Sequence, residues 1–126
     1  MRVLEVRMAV TGILLLSTIV SGIIVSAFGR PLNTLVFTIH KLLALASFVL
    51  VVIVVYALQR NYKIGGPVVF LIIITGLLLL ALFLSGAFLS FEKPAHAVWL
   101  AIHRVAPLLT VVSAALAVYL QLRTKI

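Results

Sequence analysis

Four stretches of this chain, residues 8–28, 34–58, 66–91 and 95–122, carry at most one Lys or Arg each and no acidic residue. Each exceeds the ~20 residues that cross a hydrocarbon layer ~30 Å thick. A backbone inside lipid must satisfy its own hydrogen bonds, so each stretch is expected to be a helix. The breaks are Gly29-Arg30-Pro31, residues 60–66 and Glu92-Lys93-Pro94. Pro31 and Pro94 suit the first turn of a helix, where no backbone donor is required. The first stretch is too long, and its flanking charges too spread, for a cleaved leader, so it is read as part of the structure.

Composition agrees with lipid as the solvent. Charged residues make up 10% of the 126 positions, against about a quarter in soluble domains. A water-soluble globule, a disordered chain and a disulfide scaffold are thereby excluded. The absence of cysteine excludes thiol redox chemistry, Cys-ligated iron–sulfur clusters and thioether-linked haem. A net charge of +8 could suggest nucleic acid, but the cations lie between and beside apolar runs, the pattern of membrane anchoring. Arg2, Arg7, Arg60, Lys63, Arg123 and Lys125 fall on one side. Arg30 and Lys93 fall on the other, with Lys41 and Arg104 slightly inside the helices there. The positive-inside rule then expects a multi-pass cell-membrane protein with both termini cytoplasmic. Tyr56, Tyr119 and Trp99 read as interfacial anchors.

The chain also repeats itself. Thr11, Gly12, Ser21, Gly22 and Ser26 match Thr75, Gly76, Ser85, Gly86 and Ser90 at an offset of 64. After one residue drops out, Arg30-Pro31, His40-Lys41, Ser47, Tyr56 and Arg60 match Lys93-Pro94, His103-Arg104, Thr110, Tyr119 and Arg123 at an offset of 63. Each unit holds two spans, so both enter the membrane the same way up. The expected fold is an all-α, four-helix transmembrane bundle forming a single domain over 1–126. It is built from two tandem hairpins, 1–63 and 64–126, related by a pseudo-two-fold axis along the membrane normal.

The repeat places His40 and His103 at similar depth, ~9–12 Å below the outer boundary at ~1.5 Å per residue. Ionisable residues inside a membrane are functional candidates by default. Two neutral imidazoles facing each other could grip one iron as the axial ligands of haem b, which needs no cysteine. Gly22 and Gly86 fall near that level and would let a flat macrocycle approach the backbone. Lys41 and Arg104, directly after each histidine, are candidates to pair with two propionates.

Each of these residues has a plainer reading. The histidines could be polar glue between helices, the glycines close-packing positions, and the two cations snorkelling side chains. Ser47 and Thr110 are expected to bond their own helix backbone, and Gly12 and Gly76 to serve packing alone. Arg60 and Arg123 read as anchors. His96 has Asn33 as its counterpart and stands ~10.5 Å above His103 by helical rise. It reads as an interfacial histidine, with a propionate contact or a quinol entry site as the accessory role. A three-histidine metal site would lack carboxylate or thiolate support.

Hydrophobic hairpins with Gly on one helix and His followed by a basic residue on the next resemble the membrane b-type cytochromes. The likeness is nearest to the four-helix cores of bacterial cytochrome b561-type proteins and small cytochrome-b-like subunits. Its specific content is His40-Lys41, His103-Arg104 through Pro107, and the pairs Ser21-Gly22 and Ser85-Gly86. The resemblance implies one-electron transfer by an electron-transfer protein or oxidoreductase subunit. Quinones, other cytochromes or a redox protein are the partners it implies, with a single haem because there is a single symmetric histidine pair. The chain would act alone with quinol, as the membrane subunit of a larger quinone-linked complex, or as a homodimer in the lipid bilayer. The rival class is a cofactor-free scaffold or assembly subunit. Proton conduction is disfavoured because no Asp or Glu lies in a span, and hydrolysis because no nucleophile–base–orienter set can be assembled.

Overall fold

In a computed structural model the described residues are 2–29, 32–91 and 97–124. They form α1 (Arg2–Phe28), α2 (Thr34–Asn61), α3 (Gly66–Phe91) and α4 (Ala97–Arg123), with no strand among them. The fold is all-α, and all four helices are long and apolar enough to cross a membrane. Arg30, Pro31, Lys93, Pro94 and Lys125, and the expected start of the last helix at 95, lie outside the described residues.

α1 begins six residues before the expected apolar run, and α2 outlasts its run by three. Hydropathy marks where lipid ends, whereas hydrogen bonding marks where a helix ends. Glu5 in the first turn of α1 and Arg60 in the last turn of α2 have the signs that favour those helix ends. Asn33 caps α2, its side-chain oxygen accepting from the N–H groups of Leu35 (3.1 Å) and Val36 (3.2 Å). At the other end the Tyr62 N–H donates to the Leu58 carbonyl (3.0 Å). Gly29 follows α1 at φ +68°, a left-handed cap that glycine adopts without strain.

The chain divides into two compact units, Met1–Tyr62 and Lys63–Ile126. In the first, α1 packs on α2; in the second, α3 packs on α4. The logic of burial is that of a lipid-facing protein. Among the described residues, eight polar side chains are buried but only six apolar ones. Large apolar side chains such as Ile13, Leu42, Leu77 and Leu108 stand more than half exposed. Lipid solvates these as well as a core would, so the helices gain by turning small residues and hydroxyls toward each other.

Candidate functional site

Each hairpin seats one histidine over one glycine. His40 lies six residues into α2, and His103 six residues after Ala97 in α4. Within the first unit, a Cβ on Gly22 would lie 3.0 Å from His40 Cε1; within the second, a Cβ on Gly86 would lie 3.1 Å from His103 Cε1. Real side-chain carbons rarely come so close. Both glycines therefore make room for an imidazole from the neighbouring helix of their own hairpin.

The serine before each glycine holds the ring. His40 Nδ1 is 2.9 Å from Ser21 Oγ and 3.1 Å from the Thr18 carbonyl oxygen. A carbonyl can only accept, so Nδ1 carries a proton, and in a neutral ring the lone pair then sits on Nε2. Ser21 Oγ donates its own proton to the Thr18 carbonyl (2.8 Å), which leaves it an acceptor toward the ring. In the second hairpin His103 Nδ1 is 2.9 Å from Ser85 Oγ, and that hydroxyl donates to the Leu82 carbonyl (3.1 Å). With that proton given to the Leu82 carbonyl, Ser85 Oγ is left to accept from Nδ1–H of His103, which in a neutral ring leaves the lone pair on Nε2. Ser85 is fully buried and Ser21 nearly so.

The other expected residues fall around this pair of seats. Lys41 turns back along α2 and places Nζ 4.2 Å from the centroid of the Phe37 ring, a cation–π contact. Arg104 is exposed beside His103. Ser47 and Thr110 donate to their own helices, at the Leu43 (2.8 Å) and Ala106 (2.7 Å) carbonyls, as expected. Gly12 and Gly76 correct the sequence reading. Within its own hairpin a Cβ at either would meet nothing within 4 Å, so neither glycine is a close-packing position there. His96 lies outside the described residues, and among those residues no cluster of three or more potential metal ligands occurs.

Four features were not assigned by sequence reasoning. Ser21 and Ser85 were visible in the repeat but had no role until they proved to hold the rings. The Thr18 carbonyl also meets the His40 ring, and nothing in its residue type signals that. Phe88 and Trp99 stack at 4.3 Å with a 12° interplanar angle in the second hairpin, where the matching positions of the first are Ile24 and Val36. Gln121 is buried where the repeat has Leu58; a polar residue replacing a matched leucine was the available signal.

No protein-family model matches the chain, and no match is found among curated proteins or solved structures.

Proposed function

We propose that the chain is an integral membrane b-type cytochrome transferring single electrons through one bis-histidine haem b near the outer leaflet. In this reading both termini are cytoplasmic in the cell membrane, and the hairpins share the cofactor across a pseudo-two-fold axis. The electron partner is a quinol or a redox protein, met by the chain alone or as a subunit of a quinone-linked complex.

One observation carries the proposal. Each imidazole is anchored through Nδ1, by Ser21 with the Thr18 carbonyl and by Ser85. Ligating histidines characteristically donate their second ring N–H in this way, which fixes the tautomer and makes the other nitrogen more basic. The donor set thus fits a haem iron, with His40 and His103 as the ligands through Nε2. Such a group supplies reversible ferric–ferrous exchange at an iron held by two imidazoles. The protein's part is position and field. Gly22 and Gly86 set how deeply each ring sinks between its helices, the serines stop ring rotation, and Lys41 and Arg104 attract propionates and favour the reduced state electrostatically.

The test is the visible spectrum of the full chain purified after haem-supplemented expression. A reduced b-type spectrum that disappears in both His40→Ala and His103→Ala is the expected result. Ser21→Ala and Ser85→Ala should keep the haem with a shifted midpoint potential. A second reading rests on the same hydrogen bonds: each His–Ser contact joins two helices, which is all that a cofactor-free scaffold would need. A folded, colourless wild-type protein selects that reading.

A further inference from the structure

At the end of the first hairpin away from His40, a groove of about 610 Å³ opens between α1 and α2. Its polar part is made by Arg7 of α1 with Tyr56, Arg60 and Asn61 of α2, and its apolar part by Val52 and Ile53. A second groove of about 310 Å³ also touches Arg7 and Asn61, so Arg7 stands where the two meet. From Arg60 back to Val52 is ~12 Å along the helix. The groove therefore runs from a cationic rim to an apolar wall deeper along the span.

We infer that this groove binds an anionic glycerophospholipid from the leaflet on that side. The headgroup phosphate would sit between Arg7 and Arg60, with an acyl chain along Val52 and Ile53. Two guanidinium groups share the groove with no acidic side chain in its lining. The chain has two acidic residues, Glu5 and Glu92. Glu5 precedes Arg7 by two positions, which is ~200° around the helix. An anion is therefore what the site lacks. Guanidinium forks match phosphate oxygens in pairs, Tyr56 and Asn61 add hydrogen-bonding groups, and basic pockets between membrane helices are where acidic headgroups settle. The apolar wall gives a lipid an advantage over inorganic phosphate. A zwitterionic headgroup would set its own cation against the two arginines.

The repeat supplies an internal control. The second hairpin keeps the Tyr56 and Arg60 equivalents as Tyr119 and Arg123, but has Leu71 in place of Arg7 and Thr124 in place of Asn61. An interfacial Tyr/Arg anchor is thus common to both hairpins, and the second cation belongs to the first alone.

The experiment is native mass spectrometry of the full chain released from phosphatidylcholine vesicles doped with phosphatidylglycerol. Circular dichroism confirms helix content for each variant. The wild type should retain phosphatidylglycerol in preference to phosphatidylcholine. Arg7→Leu, Arg7→Gln and Arg60→Gln should each weaken retention about fivefold, the worth of one cation at a membrane surface. Arg123→Gln should leave it unchanged. Retention unaffected by either Arg7 variant, an equal loss in Arg123→Gln, equal retention of phosphatidylcholine, or displacement by inorganic phosphate at matched concentration would each overturn the inference.

Discussion

In the first hairpin His40 sits over Gly22 and bonds Ser21; in the second His103 sits over Gly86 and bonds Ser85, residue for residue. The hydroxyl pairs that tie the helices together follow no such register. The first hairpin joins Thr18 to Ser47 (3.0 Å), while the second joins Thr75 to Ser113 (2.8 Å). The repeat counterparts of Thr18 and Ser113 are Leu82 and Leu50. Ring seating depends on a short list of matched atoms: a missing Cβ, a hydroxyl and an Nδ1. Tying two helices asks only that two hydroxyls meet at some level. Of the two arrangements, the one with the tighter geometric demand is the one the two halves share.

The largest expected effect tests that demand. Replacing Gly22 or Gly86 by Val places branched carbons where the imidazole lies. Overpacking of this kind costs about 1–3 kcal/mol, with the ring displaced. Gly12→Ala and Gly76→Ala meet open space, and alanine is the better helix former by up to about 1 kcal/mol. Thermal unfolding in detergent should therefore fall for the first pair and hold or rise for the second. If all four behaved alike, the glycines would have no special relation to the histidines.

A second difference lies at positions 58 and 121. Leu58 and Gln121 are repeat equivalents and both are buried. Gln121 Nε2 reaches the Lys63 carbonyl at 3.4 Å, while its Oε1 is buried without a hydrogen-bond partner among the described residues. A buried, unsatisfied polar group costs about 1–3 kcal/mol. Gln121→Leu should raise the unfolding midpoint and Leu58→Gln should lower it. A fall in both would show that the amide serves its own hairpin.

The start of the first hairpin's second helix is held by a smaller contact. Asn33→Ala removes both side-chain bonds at the N-terminus of α2 and should cost about 1 kcal/mol. Asn33→Asp keeps the acceptor and should cost little. Hydrogen exchange at Leu35 and Val36 reads the fraying directly.

Much of this was legible in the residues. Four apolar runs pointed to four helices because lipid leaves a backbone few alternatives, and the 66–91 run matched α3 at both ends. The Ser-Gly and His positions stood out because Gly, Ser and His are scarce enough for a matched pair to carry information. What lay hidden depended on rotation about helix axes. Sequence spacing gave Gly12 a packing role and Gly22 either packing or cofactor contact, yet within the first hairpin it is Gly22 that is turned to the neighbouring helix. Thr18 acts on His40 partly through its carbonyl, an atom every residue has. In a chain rich in Leu, Val and Ile, apolar periodicity gives little sign of which face turns inward.

The smallest effect tests the unshared hydroxyl pairs. Thr18 and Ser47 each lie within donating distance of their own backbone, at the Leu14 and Leu43 carbonyls (both 2.8 Å), as well as of each other. A hydroxyl has one proton, so one member of the pair must give up its local acceptor to donate across the gap. The net gain should be small, about 0.6 kcal/mol as for interhelical hydrogen bonds in membranes generally. Thr18→Val and Thr75→Val should each lower stability by about that much, and each should affect its own hairpin. In the first hairpin the pair lies one turn from Ser21, whereas Thr75 is ten residues from Ser85. Thr18→Val should therefore also perturb the His40 ring resonances, while Thr75→Val leaves those of His103 in place. Equal perturbation of both rings would mean that the lock and the seat are coupled throughout, and the contrast between the two hairpins would lose its physical basis.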